Sequence, residues 1–249
     1  MITIKSAREI ARMREAGRIV AEVLDLLRPR VQPGITTGEL DQLAYDAITE
    51  RGGKPSFLGY DGFPRSICTS IDEEIVHGIP GRRRLESGSI LSIDIGAVVG
   101  GYHADAALTV PVGQVSADKM ELIAVAEGAF AAGLEQAVAG HRIGDISAAV
   151  QAYAEERGYV MVEGLTGHGV GTELHEDPAV PNVGKAGRGP VLRPGMTIAI
   201  EPMVTSGSPE TVLLDDDWTV VTADRSPAAH YEHTLVITAQ GPELLTVRG

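Results

Sequence analysis

Acidic residues lie inside segments that otherwise have the composition of buried strands, and this feature restricts the fold more than any other. Residues 90–95 are mostly apolar on both faces, as in a strand covered on both sides, yet Asp94 lies among them. Glu201 lies in the same way within residues 198–204, and Glu232 precedes another apolar strand. A buried carboxylate is costly unless a cation pairs with it. Because these segments hold too few basic residues to pair them all, a metal ion is the expected partner.

An aspartate and a histidine complete a candidate metal site. Asp105 follows Asp94 after a stretch that contains a glycine turn, so a hairpin can set both aspartates on one face. Residues 167–178 form a glycine-rich loop that contains His168 and His175, and glycine lets the backbone approach a site closely. Four carboxylates and one imidazole favour divalent ions such as Mn, Fe(II) or Co. The candidate ligands are Asp94, Asp105, His168, Glu201 and Glu232.

This ligand set also indicates a reaction. Four carboxylates balance the charge of two divalent ions, and the ions of such sites lie about 3.5–4 Å apart. One ion polarises a scissile carbonyl, while both lower the pKa of a shared water, so that a nucleophile forms at neutral pH. The residues therefore predict hydrolysis at a two-metal site.

The expected helices and strands are typical of an α+β domain. The capping box Ser6-Ala7-Arg8-Glu9 predicts a helix that stops at Pro29, and Thr37 begins a second helix that closes at Gly52. Strands are expected in residues 66–71, 74–77, 89–99 and 102–110. Two more helices are expected over residues 117–139 and 145–157, and further strands near residues 160–163, 196–204, 217–223 and 229–238.

The order of two helices and a sheet occurs twice, with shared residues at a constant spacing. Gly34 recurs 106 residues later as Gly140, and Gly38 recurs as Gly144. No linker rich in proline or serine separates the copies. We therefore predict a single catalytic domain over residues 1–249, whose two similar halves cover approximately residues 1–112 and 116–249.

Four sequence runs occur together in an order that resembles one known family. They are Asp94-Ile95-Gly96, Gly167-His168-Gly169-Val170-Gly171 with His175-Glu176-Asp177-Pro178 after it, Ile200-Glu201-Pro202 and Glu232-His233-Thr234. With these runs the chain resembles the type I methionine aminopeptidases of the bacterial kind over nearly its whole length. The resemblance implies the pita-bread fold, in which two pseudo-symmetric helix-helix-sheet halves surround a dinuclear metal site.

The resemblance also implies a role for each candidate ligand. It makes Asp94 a ligand of one ion, whereas Asp105 and Glu232 bridge both ions. His168 and Glu201 complete the second ion, and Glu201 also handles protons around the attacking water. The cofactor would be two divalent ions, with Co, Mn and Fe(II) as the candidates.

Two histidines outside this set are implied to act on the substrate. His77 would contact the scissile amide and stabilise the tetrahedral intermediate, and His175 would bind the substrate carbonyl or the developing oxyanion. The family's pocket for the methionine side chain falls on Tyr60, Phe63, Cys68 and Trp218. Trp218 could equally cover the core, and Cys68 is expected to be a small buried side chain rather than a nucleophile.

The remaining histidines carry weaker signals. His141, His230 and His233 have no motif that supports ligation, so we expect them to be structural or exposed. Strand alternation places His103 on the same face as Asp105. Two positions for His103 are therefore open, a contact with the metal ligands and exposure to solvent.

The implied function is that of a metal-dependent aminopeptidase, which removes the initiator methionine from nascent proteins whose second residue is small. Its partners are then the N-termini of nascent polypeptides. Two alternatives stay open at this point, an Xaa-Pro aminopeptidase or prolidase on the same fold and a catalytically inactive binding protein. The first class usually has an extra N-terminal domain, which this sequence does not show, and the second tends to lose ligands.

The composition of the chain indicates which partners and which cellular location to expect. The net charge of −13 argues against specific nucleic-acid binding. No apolar stretch approaches the ~20 residues of a membrane-spanning helix, and the N-terminus lacks a signal-peptide pattern, so we expect no membrane contact and a cytoplasmic location. The run Arg82-Arg83-Arg84 is either a solvated turn or a surface for transient association with the ribosome. A monomer is the default expectation.

Overall fold

Four helices and fifteen strands form the fold over residues 1–247, the part of the chain that the computed structural model describes. The helices are α1 (Ala7–Leu27), α2 (Thr37–Glu50), α3 (Ala117–Gln136) and α4 (Ile143–Glu155). The strands are β1 (Lys54–Pro55), β2 (Ile67–Ile71), β3 (Glu74–Val76), β4 (Ile90–Val99), β5 (Tyr102–Pro111), β6 (Val160–Met161), β7 (Thr166–Gly169), β8 (Glu176–Pro181), β9 (Thr197–Ile200), β10 (Met203–Thr205), β11 (Thr211–Leu213), β12 (Val220–Thr222), β13 (Ala228–His230), β14 (Glu232–Thr238) and β15 (Gly241–Leu244). None of these helices combines the length and the apolar character needed to cross a membrane.

The first two helices begin and end at the capping signals of the sequence. The Ser6 hydroxyl accepts the Glu9 backbone N–H, and the Glu9 carboxylate accepts the Ser6 N–H. Helix α1 ends before Pro29, because proline has no N–H to continue the ladder. Thr36 caps α2 in the same way as Ser6 caps α1, and Gly52, with φ of 81°, follows its end. Both predicted helices are confirmed.

A nine-stranded antiparallel sheet lies at the centre of the fold. Its strand order is β1-β4-β5-β14-β9-β7-β8, with β2 beside β4 and β15 beside β14. Two three-stranded sheets, β13-β10-β6 and β11-β12-β3, complete the α+β architecture. One apolar cluster joins α1 and α2 to β2, β4 and β5, and a second joins α3 and α4 to strands that include β6, β8, β9 and β14.

Two segments that the sequence predicts as single strands are each divided in the structure. Residues 196–204 form β9 and β10, separated by Glu201 and Pro202, and Tyr231 separates β13 from β14. The proline cannot donate to a strand ladder, so pairing stops there. On one side of the breaks β9 pairs with β14 in the large sheet, and on the other side β10 pairs with β13 in a small sheet.

The glycine-rich segment 167–178, predicted as a loop, contains most of β7 and the beginning of β8. These strands pair with each other, and β7 also pairs with β9. Strands β1, β11 and β15 likewise have no counterpart in the sequence-based expectation. All of them are short or rich in glycine or proline, so their local propensity for strand is weak and only pairing with distant residues stabilises them.

Candidate metal centre

Five neighbouring strands of the large sheet each bring one predicted ligand to the same region. The ligands are Asp94 on β4, Asp105 on β5, Glu232 on β14, Glu201 directly after β9 and His168 on β7. These five strands are consecutive in the sheet. Asp94 and Glu232 both pair with Ala107, which lies two residues from Asp105, so the three carboxylates share one face.

His168 lies among the carboxylates. Its Nε2 atom is 3.4 Å from Oδ2 of Asp105, 3.5 Å from Oε1 of Glu201 and 3.9 Å from Oε1 of Glu232. The potential ligand atoms of Asp105, His168 and Glu232 all lie within 4.8 Å of one another. Asp94 and Glu201 lie outside this tight group, and both line the adjoining cavity.

Hydrogen bonds orient two of these side chains. The His168 Nδ1 atom lies 2.8 Å from the Gly169 carbonyl, which can only accept, so Nδ1 carries the hydrogen and the Nε2 lone pair faces the carboxylates. The Thr234 hydroxyl lies 2.7 Å from Oδ1 of Asp105. Such partners hold a ligand in the orientation that coordination needs.

The charges of the site repel one another in the absence of a cation. Burial raises the pKa of Asp94 to about 8 and that of Glu201 to about 8, and the neighbouring Asp105 adds to both shifts. Burial, reinforced by Asp105, also raises the pKa of Glu232 well above its usual range. Burial lowers the pKa of His168, but the carboxylates of Asp105 and Glu201 outweigh this effect and leave its pKa raised.

These residues fit divalent metal ions. Within residues 1–247, the ion-pair partners found for Asp105, Glu201 and Glu232 are histidines rather than lysine or arginine. The Oδ1 atom of Asp94 is buried and has no hydrogen-bond partner in the same described part of the chain. An orphaned carboxylate oxygen beside oxygen and imidazole donors is the environment that a hard or borderline cation would satisfy.

All eleven residues that the sequence analysis predicts as metal ligands, catalytic histidines or pocket residues line one cavity of about 350 Å³. This volume lies in the range of about 300–1,000 Å³ that is typical of small-ligand sites. The cavity also contains residues that the sequence analysis missed, namely Phe57, Asp61, Val76, Leu165, Thr166, Leu174 and Met203. They belong to different strands and loops, and no local pattern connects them.

His175 lies beside the ligands without joining them. Its ring is 4.4 Å from that of His168, and its Nδ1 atom lies 2.7 Å from the Tyr60 hydroxyl. Burial, together with the nearby His168, lowers the pKa of His175 to about 4. The imidazole is therefore neutral at neutral pH and can donate or accept a hydrogen bond in the cavity.

His77 has a strained backbone. Its φ is 61°, in the left-handed region that residues with a side chain seldom adopt. Its ring stands edge-on to Trp218 with centroids 6.2 Å apart. Burial, with a smaller effect from His230, lowers the pKa of His77, so this ring is also neutral at neutral pH.

Apolar side chains form one wall of the cavity. Phe63 packs edge-on against Trp218 with ring centroids 5.0 Å apart, and both belong to a cluster that includes Cys68 and Tyr60. Cys68 is buried, and its burial next to Asp94 raises the pKa of the thiol well above its usual range. A neutral thiol acts as a small apolar group, so this wall suits an apolar side chain.

The other four histidines lie in four different environments. His141 is exposed and His233 is held by Thr246 and Tyr231, in agreement with the expected exposed or structural character. His103 contacts the Ser56 hydroxyl at 2.9 Å through Nδ1. His230 is buried, with Nε2 only 3.6 Å from Oε2 of Glu201. No sequence signal connects His230 with Glu201, because the two residues are far apart in the chain.

Comparison with known proteins agrees with the site. Residues 11–239 match the description "Metallopeptidase family M24". The chain is 51% identical to a methionine aminopeptidase of Clostridium acetobutylicum, with 99% of each chain covered. It is also 51% identical to methionine aminopeptidase 1 of Bacillus subtilis, again with 99% of each chain covered.

Solved structures give the same result for the fold. The methionine aminopeptidase of Thermotoga maritima matches with a TM-score of 0.98 at 42% identity, and the match covers 100% of both chains. The prolidase of Pyrococcus furiosus matches with a TM-score of 0.81 at 23% identity, covering 99% of this chain and 66% of that chain, and this shows a shared fold only. These matches confirm the predicted pita-bread fold. The chain belongs to metallopeptidase family M24 and, within it, to the bacterial methionine aminopeptidases.

Proposed function

We propose that this chain removes the N-terminal methionine from nascent proteins whose second residue is small, with the help of divalent metal ions. The observation that carries this function is the convergence of four carboxylates and one imidazole from five neighbouring strands at one cavity. The identity of 51% to relatives named methionine aminopeptidases supports this function over the alternatives. An X-Pro aminopeptidase shares the fold at only 21% identity, and an inactive binding protein would have no need of the complete ligand set.

The metal ions would be held by the five converging side chains. Asp94 would bind one ion, Asp105 and Glu232 would be shared, and His168 with Glu201 would bind the second. When bound, two such ions supply an activated water and polarise the scissile carbonyl. Mn, Fe(II) and Co all suit a ligand set of oxygen and imidazole donors.

Proton transfer would be the task of Glu201. Its carboxylate borders the cavity and lies beside the imidazole of His168. We infer that a Glu201 oxygen accepts the proton of the attacking water and delivers it to the nitrogen of the leaving amine. Such a transfer works best with a group whose pKa lies near the working pH.

His175 and His77 would bind the reacting amide. We infer that the Tyr60 hydroxyl donates to Nδ1 of His175, which leaves the hydrogen on Nε2 and directs that N–H at the substrate carbonyl oxygen. Negative charge develops on this oxygen as the water attacks, and a neutral donor in a buried site stabilises it. His77 would contact the same amide, which accounts for its strained backbone.

The methionine side chain would occupy the apolar wall. Tyr60, Phe63, Cys68 and Trp218 would surround the thioether, whose flexibility suits an irregular apolar slot. A small second residue would be needed because the chain beyond the scissile bond must fit beside the two histidines.

We also propose the wider setting of the enzyme. Residues 1–249 would act as one catalytic domain with two similar halves, approximately 1–112 and 116–249, in a cytoplasmic monomer. The exposed run Arg82-Arg83-Arg84 would associate transiently with the ribosome. Arg83 already pairs with Glu74, and Arg84 donates to the Gly34 carbonyl, so Arg82 is the freest of the three for such a contact.

A peptide assay with metal replacement tests the activity. Chelator-stripped protein is given Mn, Co or anaerobic Fe(II), and methionine release from Met-Ala-Ser is compared with release from Met-Lys-Ser. Metal-dependent release from the first peptide alone is expected. Cleavage of an Ala-Pro peptide instead would favour the proline-specific class, and no turnover despite metal binding would favour a binding protein.

A further inference from the structure

His230 is a buried histidine at the metal centre that has no role in the function proposed above. It ends strand β13, and its side chain is 1% exposed. Both backbone polar groups of His230 are hydrogen-bonded, since the N–H donates to the Thr109 hydroxyl at 2.9 Å and the carbonyl accepts from the same hydroxyl at 2.9 Å. The side chain, unlike the backbone, is not hydrogen-bonded. Neither ring nitrogen has a hydrogen-bond partner among the residues that the structure describes.

An unpartnered imidazole at this depth needs an explanation. A histidine ring carries at least one N–H, and leaving that donor buried without an acceptor destabilises the fold. Buried polar groups are almost always hydrogen-bonded, and exceptions in native structures point to a functional constraint. The ring therefore has a partner in the working protein.

Glu201 is the carboxylate that pairs with this ring, and the charges of Asp94 and Asp105 also act on the ring. The Nε2 atom of His230 lies 3.6 Å from Oε2 of Glu201, while Oε1 of Glu201 lies 3.5 Å from Nε2 of His168. The Glu201 carboxylate thus stands between two imidazoles, with one oxygen toward each. A direct N–H···O bond is about 2.7–3.2 Å long, so a small rotation of the ring or of the carboxylate completes the contact.

His230 is placed behind Glu201 as seen from the substrate side. Glu201 lines the cavity, whereas His230 is not among the lining residues. His230 therefore does not contact the cavity directly. This placement separates His230 from His77 and His175, which both line the cavity.

We propose that His230 is a positioning residue, whose Nε2–H donates to Oε2 of Glu201 and thereby turns Oε1 toward His168 and the metal ions. The inference rests on the proposed ligation of metal by Glu201. Hydrogen bonds from outside the ligand set hold a ligand in its binding orientation and raise the affinity of the site. His230 would therefore contribute to metal affinity without touching metal or substrate.

Three substitutions of His230 separate a hydrogen bond from simple filling of space. His230→Gln keeps an amide N–H close to the place of Nε2, whereas His230→Asn carries its amide nearer to the place of Nδ1. His230→Leu fills the space without any donor. His233→Leu is the control, because this half-buried histidine has both ring nitrogens partnered away from the site, by Thr246 and Tyr231.

The readout is Mn(II) affinity by calorimetry, together with the visible absorption spectrum of the Co(II) form. We expect about 10- to 100-fold weaker affinity for His230→Leu and His230→Asn, which is the usual effect of losing such a partner. The Co(II) spectrum should change in the same two variants. His230→Gln and His233→Leu should keep both the affinity and the spectrum of the unsubstituted protein.

The outcomes separate this inference from the proposed function. An unsubstituted protein that binds no divalent ion would overturn the proposed metal site and the inference with it. If that protein binds Mn(II) and His230→Leu binds it equally well, only the inference is wrong. Equal loss in His230→Gln and His230→Asn would exclude a donor at Nε2. If His230→Leu does not fold, the comparison between Gln and Asn decides the question.

Discussion

The Tyr60 hydroxyl lies 2.7 Å from Nδ1 of His175, and the two rings meet edge to face with centroids 5.2 Å apart. In the proposed arrangement the Tyr60 hydroxyl donates this bond, which leaves the hydrogen of His175 on Nε2. Tyr60→Phe keeps the ring and removes this bond, so kcat for Met-Ala-Ser should fall roughly two- to tenfold, in line with the loss of one hydrogen bond. Steady-state kinetics measure the effect.

The control for this substitution is Tyr102→Phe. The Tyr102 hydroxyl donates to Oε1 of Glu9 at the beginning of α1, away from the cavity. Its removal should leave kcat unchanged. A Tyr60→Phe enzyme with the same kcat as the unsubstituted enzyme would show that the hydroxyl does not orient His175.

Substitution of His168 should remove the metal, whereas substitution of His175 should leave the metal content unchanged. The rings of His168 and His175 are 4.4 Å apart, but only His168 has its nitrogen lone pair among the carboxylates. His175→Ala should retain metal while kcat falls about 10²- to 10³-fold, as expected for the loss of an oxyanion donor. His168→Ala should lose metal. Metal analysis after gel filtration and single-turnover kinetics test both variants, and metal loss in His175→Ala would reassign that residue as a ligand.

Metal-free protein should lose stability as the pH rises from about 7 to about 8. Burial raises the pKa of Asp94 and that of Glu201 to about 8, whereas the same groups in an unfolded chain titrate near pH 4. Between these values the folded chain binds more protons than the unfolded chain, so the free energy of unfolding falls as the pH rises. His168, whose pKa is also raised, acts in the same direction.

The measurement is thermal unfolding of chelated protein at both ends of this pH range, with and without Mn(II). Bound ions replace the protons on the carboxylates, so the stabilisation by Mn(II) should be larger at the higher pH. Histidines whose pKa is lowered by folding titrate near pH 6.5 in the unfolded chain and oppose this trend there, so the range begins above that pH. A melting temperature that rises with pH in the chelated protein would contradict the predicted protonation of the site.

Asp41 connects helix α2 to the strand that carries Cys68. Its Oδ1 atom accepts the Ser66 N–H at 2.7 Å and the Ile67 N–H at 3.2 Å, and all three residues are buried. Asp41→Ala leaves two buried N–H groups without a partner, so the free energy of unfolding should fall by about 1–3 kcal/mol. Urea denaturation measures this change.

Two comparisons make the Asp41 result specific. Asp41→Asn keeps an acceptor oxygen and should lose less stability than Asp41→Ala. Asp46→Ala lies on the exposed side of the same helix and should change stability by less than about 0.5 kcal/mol. Equal losses for Asp41→Ala and Asp46→Ala would mean that helix propensity, rather than the two hydrogen bonds, explains the effect.

Features that depend on neighbouring residues in the chain could be predicted correctly. The capping box at Ser6 and the helix start at Thr37 depend on residues close together in the chain, so the sequence is sufficient to locate α1 and α2. The hairpin of β4 and β5 is equally local, because a glycine turn joins the two strands. The carboxylates in apolar strands were visible for the same reason, since burial of a strand follows from its own composition.

Features that depend on contacts between residues far apart in the sequence could not be predicted and are seen only in the tertiary structure. The break at Pro202 and the break at Tyr231 send β10 and β13 into a small sheet, a pairing across more than twenty residues that no local pattern encodes. Strand β7 has almost no propensity of its own and exists because β8 and β9 pair with it. His230 became a neighbour of Glu201 through the same strand crossing.

The chemistry of this protein was therefore present in its residue types, and the geometry was not. A carboxylate buried in an apolar strand is destabilising unless a cation lies beside it, so the sequence by itself indicates a metal ion. Which five strands lie side by side, and which buried imidazole faces Glu201, follows from long-range pairing. That pairing minimises the free energy of the whole chain, and no single segment contains enough of the interactions to decide it.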